Sequence, residues 1–348
     1  MNLLRVVVIG TGFGARVHVP AYQLHPRYEL VGIGSMRQGR GEEWGKSLGI
    51  AGSSNWRDLI DDVCPDVVSI ATNPSWHYDM SIYAMEHDAH VLCEKPMALS
   101  LTEAAAMVRV SENTGKHAWI NHEFRYFPAR QIVKEWIDEG KIGVPLSVVM
   151  AGGAGGYEAA YHRPINWLTQ ESHGGGFLGA IGSHWIDTLR WWLGDIQYVT
   201  GELMRDVPER ATGIARADDG FVGFLHLSSG ASALLSWHVA APSARGVRFE
   251  VMGTEATIRV DNDRRVWISQ DANWEEVTVP DTEWPTNLPE NAPYLLGNMI
   301  ALLDDMADAI DGEPQSPLLV PFSEGYEVMR VMDAWTRSFQ NGTRQFLL

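Results

Sequence analysis

Two groups of residues in this chain have the types and spacing for chemistry: the glycines of Gly10-Thr11-Gly12-Phe13-Gly14-Ala15, and Lys95 at the end of Val91-Leu92-Cys93-Glu94-Lys95-Pro96. Glycines at alternate positions allow a tight turn and an approach free of side chains. A helix opening behind them aims its N–H groups and positive end at an anion such as a pyrophosphate. The apolar run Val6-Val7-Val8-Ile9 enters that turn directly, and Arg16–Leu24 behind it is compatible with helix. Such a run fits a strand buried on both faces of a parallel sheet. In that setting the turn reads as a dinucleotide site, with Gly10, Thr11, Gly12, Phe13 and Gly14 holding the cofactor.

Ligands of an open α/β sheet collect at the carboxyl ends of its strands, and three more ends carry notable residues. Ser35-Met36-Arg37-Gln38 follows the second strand, where an Asp or Glu would bind the ribose 2′-OH of NAD. A hydroxyl at Ser35, with Arg37 and Arg40 nearby, suits a 2′-phosphate instead, so NADP is expected ahead of NAD. Thr72, Asn73, Trp76 and His77 follow the third strand and Glu94 and Lys95 the fourth, and of these Thr72, Asn73, His77, Glu94 and Lys95 are expected to bind the cofactor. Trp76 is the candidate to stack on substrate. A lysine beside a nicotinamide is placed to hydrogen-bond a substrate hydroxyl, and Lys95–Pro96 is a candidate cis peptide.

The elements needed to position those ends are present. Strands are predicted over Arg5–Ile9, Tyr28–Gly34, Val67–Ala71, His90–Cys93 and His117–Ile120. Helices are predicted over Ala15–Leu24, Gly39–Leu48, Asn55–Asp61, His77–Glu86 and Ser100–Thr114. Ser100 with Glu103 makes a capping box and Asn55 an N-cap. This alternation means a doubly wound parallel sheet. Near Asn121 the pattern changes to a helix over Arg130–Glu139, a strand over Leu146–Gly152 and a helix over Ser183–Leu193. Strands at Gly220–Leu227, Ala231–His238, Val247–Met252 and Ala256–Val260 then fit an antiparallel sheet. Helices around Tyr294–Ile310 and Ser323–Phe339 finish the chain, and Pro280–Pro293 is expected as a surface loop. Ala151–Gly156 (AGGAGG) is expected as a mobile substrate loop, and Trp185, Trp191 and Trp192 as core.

At 348 residues two domains are the default. Lys and Arg number 27 against 44 Asp and Glu, a net charge of −17, which opposes a nucleic-acid or anionic-membrane partner. The two cysteines, Cys64 and Cys93, give no disulfide framework and are expected as buried, inert thiols in a reducing compartment. Neither a leader peptide nor a run of about 18 apolar residues is seen, so a cytoplasmic protein is expected. His and acidic residues lack ligand spacing, so no metal is expected.

The stretches GTGFGA, ATNPSWH, VLCEKPMALS, NHEFRYFP and GGGFLGAIGSHWID, in that order, resemble the Gfo/Idh/MocA oxidoreductase family. The resemblance covers nearly the whole chain. It implies an α/β protein: an N-terminal Rossmann domain (1–122), and a C-terminal α/β domain (123–348) with an open, mostly antiparallel sheet. That sheet's exposed face commonly makes homodimers or homotetramers in the family. The implied reaction passes a hydride between nicotinamide and a secondary alcohol or ketone of a sugar, glycoside or cyclitol. By the same resemblance Lys95 is the active-site lysine and His184 the general acid/base. Arg125 matches the arginine of an aromatic-Arg-aromatic stretch, and Trp167 lies near an aromatic that borders the nicotinamide. One departure stands out: Ala180 occupies the place of an Asp four residues before the histidine. Asp187, three residues after His184, is a replacement, with Tyr161, His162, Glu171, His173 and Glu123 as other polar groups for the cleft. The alternatives are a redox-neutral hydrolase or lyase using its cofactor transiently, or a non-catalytic dinucleotide sensor.

Overall fold

The computed structural model describes residues 3–241, 246–271, 273–280 and 295–347. The chain forms two compact units, one of Met1–Tyr126 with Thr282–Tyr326, the other of Phe127–Asp281 with Glu327–Leu348.

The first unit is built on β1 (Leu4–Ile9), β2 (Tyr28–Gly34), β3 (Ala51–Ser53), β4 (Val67–Ile70), β5 (His90–Cys93) and β6 (Ala118–Ile120). These pair in parallel in the order β3-β2-β1-β4-β5-β6, the doubly wound arrangement, and Val320–Pro321 adds an antiparallel edge beside β6. Val6 to Ile9 are wholly buried, as a central strand covered on both faces must be. Asn55 and Ser100 cap their helices, accepting from the Arg57 and Glu103 N–H groups. Glu103 returns its bond to Leu99 N–H, one residue upstream of the expected partner.

A single cut at 122/123 does not describe this unit, because the chain comes back to it. The helix Leu296–Ile310 places Leu296, Met299, Leu303 and Met306 in one core with Val6, Val8, Tyr22 and Tyr28. Polar groups fasten it: Tyr28 donates to the Leu303 carbonyl at 3.0 Å, Tyr126 to Asp305 at 2.7 Å, and Arg27 to Asp311 at 2.6 Å.

In the second unit, nine strands among the described residues form one sheet. Their order is Glu275–Val277, Arg265–Ser269, Thr257–Asp261, Gly246–Gly253, Pro145–Gly153, Ser232–His238, Gly220–Leu227, Ile196–Met204 and Gln345–Phe346. Every pairing is antiparallel except Pro145–Gly153 with Ser232–His238. The helix Ser183–Leu193 lays Trp185, Ile186, Leu189 and Trp192 into this unit's core, where Trp185 meets Phe221 and Phe249 edge-on. Half-buried Trp191 packs against that core.

Three expectations are corrected. Ala151–Gly153 of the glycine-rich stretch belongs to a strand, and Gly156 opens the helix Gly156–His162, so the stretch is not a free loop. Cys64 is exposed at the left-handed end of a helix, while Cys93 is buried. The first helix begins as a π-helical turn, Gly14–His18, before Val19–Leu24. Residues 281–293 of the expected loop, and Tyr294, lie outside the described residues.

One buried ion pair supports the Ser183–Leu193 helix. Arg130, wholly buried, meets Asp263 at 2.6 and 3.2 Å, donates to Thr188 at 2.6 Å, and has its guanidinium 4.8 Å from the Phe249 ring centre. Removing Asp263 takes the carboxylate and two hydrogen bonds away from a buried guanidinium. Asp263→Ala is therefore expected to lower the free energy of unfolding by about 3–5 kcal/mol, read from denaturant titration.

Candidate functional site

In the first unit the glycine turn follows β1 as the sequence requires. Gly10 has φ +134°, and a Cβ there would lie 2.2 Å from the Ala71 carbonyl oxygen, so only glycine lets the turn pass the end of β4. Around Gly12 no atom comes within 4 Å of such a Cβ, leaving the backbone open to an approaching phosphate. Gly14 packs its Cα side against Val8 and Ala71. Backbone N–H groups at the start of a helix, with open space before them, fit a dinucleotide pyrophosphate. Thr11 Oγ lies 3.3 Å from Ser35 Oγ, joining the ends of β1 and β2, and Ser35 also accepts the Arg37 N–H at 3.2 Å. Arg37 is exposed; Arg40 pairs with Glu43 at 2.9 Å. Half-buried Phe13 stands edge-on to His18.

At the end of β5 a buried carboxylate gathers its neighbours. Glu94 Oε1 accepts from Asn121 Nδ2 at 2.6 Å and lies 3.0 Å from His18 Nε2; Oε2 accepts the Lys95 N–H at 3.3 Å. His18 Nδ1 in turn lies 2.8 Å from Ser69 Oγ on β4. Burial pushes the Glu94 pKa up, but His18, Lys95 and Asn121 together hold it well below the usual carboxylate range. The carboxylate ties β4, β5, β6 and the π-turn to the backbone of Lys95. The Lys95–Pro96 bond is cis.

Beside it, buried His77 has Nδ1 3.0 Å from the Pro96 carbonyl and Nε2 3.3 Å from that of Thr72. Burial lowers its pKa more than the two carbonyls and Glu94 raise it, which favours the neutral ring, and a neutral ring donates to one of the two carbonyls. Asn73 accepts from Ser75 at 2.6 Å, and Thr72 donates to the Asn73 carbonyl at 3.2 Å. Trp76 is half-buried in the short turn between β4 and the following helix. Arg125, buried, donates to the Pro317 carbonyl at 3.1 Å, and Glu123 is buried in the same turn.

In the second unit His184 and Asp187 lie three residues apart on the Ser183–Leu193 helix, both at most 2% exposed. The helix grows out of a second π-turn, Leu178–Gly182, which contains Ala180. π-turns gather at functional sites, and here one ends at His18 and the other stands just before His184. Trp167 is exposed in a one-turn helix capped by Asn166, and Tyr161 is half-buried. His162 is taken by Glu158 at 2.8 Å, with both side chains exposed, and Glu171 and His173 are exposed in a neighbouring turn. A groove of about 630 Å³ on the outer face of this unit's sheet is lined by Ala151, Gly152, Asp206, Ser236, His238 and Arg248; it takes in the start of the expected substrate loop but none of the expected catalytic, substrate or cofactor residues.

Sequence reading missed His18, Ser69 and Asn121, which are isolated in the chain and converge only through strand order. It also missed Asp218, whose Oδ2 accepts the Phe177 and Leu178 N–H groups at 2.7 and 2.9 Å.

A family model described as "Oxidoreductase family, NAD-binding Rossmann fold" matches residues 4–122, and one described as "Oxidoreductase family, C-terminal alpha/beta domain" matches 134–346. An uncharacterised oxidoreductase of Synechocystis sp. is 31% identical over 268 residues, 75% of this chain and 72% of its own length. Levoglucosan dehydrogenase of Pseudarthrobacter phenanthrenivorans is 30% identical over 297 residues, 76% of this chain and 75% of its own. A solved levoglucosan dehydrogenase in complex with NADH and L-sorbose has a TM-score of 0.88 at 27% identity, covering 100% of both chains.

Glu94 makes a testable link between site and stability. Its pKa in the fold lies below the ordinary 4.5, so it stabilises fully above that pH, and the contribution is lost as pH falls toward the depressed value. Glu94→Gln is expected to cost about 1.5–3 kcal/mol at pH 7. The gap to wild type should close as urea titrations are repeated below about pH 4.

Proposed function

The chain belongs to the Gfo/Idh/MocA oxidoreductase family, and we propose that in its reaction Lys95 polarises the reacting hydroxyl while His184 moves the proton. The protein is a nicotinamide-dependent oxidoreductase acting on a secondary alcohol or ketone of a sugar, glycoside or cyclitol. The observation that carries the residue assignment is the shared sheet edge of the first unit. The open glycine turn and Lys95 both stand at carboxyl ends of its strands, and Lys95 is joined to that edge through Glu94. Bound at the glycine turn, a nicotinamide supplies the two-electron acceptor or donor. In the oxidative direction the hydride leaves the carbinol carbon and the hydroxyl proton passes to His184; reduction reverses both. The Lys95 ammonium stabilises charge developing on the oxygen. Asp187, Arg125, Tyr161 and Trp76 are proposed to contact substrate, and Trp167 to border the nicotinamide.

NADP is the preferred cofactor in this proposal. Ser35 offers a hydroxyl where a carboxylate would repel a 2′-phosphate, and Arg37 is exposed beside it. The exposed thiol of Cys64 supports a reducing, cytoplasmic setting.

The proposed assembly is a homodimer or homotetramer through the outer face of the nine-stranded sheet. Phe224 pairs with Thr200 and Leu234, and Leu234 with Val149; Phe224 is 38% and Leu234 44% exposed. Among the described residues no helix is long and apolar enough to cross a membrane.

The test is cofactor absorbance with NADP and NAD, each against a panel of sugars, glycosides and cyclitols. Turnover is expected, lost in Lys95→Ala and His184→Ala, with Arg37→Ala raising the KM for NADP about tenfold or more and sparing NAD. Cofactor binding without net reduction anywhere in the panel transfers the assignment to redox-neutral chemistry or sensing. For assembly, sedimentation should give a dimer or tetramer that Leu234→Asp dissociates; a monomeric wild type rejects the interface.

A further inference from the structure

We infer that Asp218 is a positioning residue for His184, fastening the start of the helical run that carries it. The inference rests on the proposed role of His184. The run begins at Leu178 as a π-turn and continues as the helix Ser183–Leu193. The first N–H groups of a helix have no partner within it, and Phe177, the residue before the π-turn, provides no side-chain cap. Asp218, some 40 residues onward, takes that place. Its Oδ2 accepts both the Phe177 and the Leu178 N–H, and its carbonyl lies 3.3 Å from the Phe177 nitrogen. The carboxylate sits so close that a Cβ on Gly176, which has φ +118°, would lie 2.1 Å from Oδ1. Just before Asp218, the Arg216 and Ala217 N–H groups donate to the Thr169 carbonyl at 2.8 and 3.1 Å, in the turn that presents Trp167.

Burial, and to a lesser degree Asp219, push the Asp218 pKa up to about 6 against the N–H groups of Leu178, Phe177 and Asp218 itself, so the group is mostly ionised at neutral pH. Asp219 is different: Arg210 neutralises it at 3.0 Å.

Fastening matters here because of the π-turn. A π-turn holds one more residue than an α-turn. Relaxing it would swing every later side chain by about 100° around the helix axis. The far side of His184 is already held, since Thr188 donates to the His184 carbonyl at 2.8 Å and is itself bonded by Arg130. Asp218 supplies the hold on the near side.

The experiment measures kcat, KM and cofactor affinity by tryptophan quenching, with folded protein quantified by circular dichroism. Asp218→Ala should lower kcat by about tenfold to a hundredfold, the loss typical of a misplaced catalytic group. Asp218→Asn keeps an acceptor oxygen for both N–H groups and should recover kcat to within about threefold. Cofactor affinity should be unchanged in both. A folded Asp218→Ala with kcat within about twofold of wild type, whatever its melting temperature, overturns the inference. If Asp218→Ala does not fold, Asp218→Ser, with its shorter acceptor, takes its place under the same criteria. His184→Ala is measured in parallel: turnover that survives it rejects the role of His184 itself, whereas its loss alongside a full-rate Asp218→Ala rejects only the positioning role.

Discussion

The first unit is organised around a carboxylate taken out of water. Desolvating Glu94 costs several kcal/mol, recovered only if its lone pairs meet well-placed donors. Three groups answer that demand from different parts of the chain: the Lys95 N–H, the Asn121 side chain and His18. To meet Glu94 each must stand at a fixed place. The ends of β5 and β6 are thereby locked together, and the chain after the glycine turn adopts a π-turn that closes on His18. Lys95 is held through its backbone N–H, so the anchor that places it does not draw on its side chain.

The second unit reaches a comparable result by different means. Arg130 and Asp263 neutralise one another beneath the Ser183–Leu193 helix, and Asp218 takes hold of the start of the π-turn that leads into it. In both units the histidine segment combines glycines, a π-turn and a carboxylate from far along the chain. A π-turn is a poor helix on its own terms, and it persists where tertiary contacts over-determine it. The same contacts that keep the irregular turn fix the direction of the side chain after it.

How much of this can be read from the amino acids follows from the range of the forces involved. The strands from Val6–Ile9 to His90–Cys93 are legible because a two-faced burial writes itself as a short apolar run. Ser100 and Asn55 are legible because capping acts within three residues. The glycine turn, Lys95 and His184 carry local signatures strong enough to resemble a family. His18, Ser69, Asn121 and Asp218 do not, since a lone polar residue in a strand or turn looks alike whether it faces solvent or a partner 27 to 76 positions away. The expected loop at Ala151–Gly156 failed for a related reason: small residues there let Gly152 pack on Trp237, a contact that local composition does not reveal. The division at 122/123 followed the change of pattern, and a pattern cannot show that a later helix packs back on the first sheet.

That returning helix bears on how the protein is made. The core of the first unit needs Leu296, Met299, Leu303 and Met306, so Met1–Tyr126 cannot close it alone. At roughly 5–20 residues per second, the ribosome takes roughly 10–40 s to synthesise the missing piece. Through that interval the flank of β1 and β2 destined for the helix stays open, with Tyr22 and Tyr28 on it. The nucleotide-binding unit is thus completed only after most of the second unit has been made, and its apolar flank stays uncovered until then.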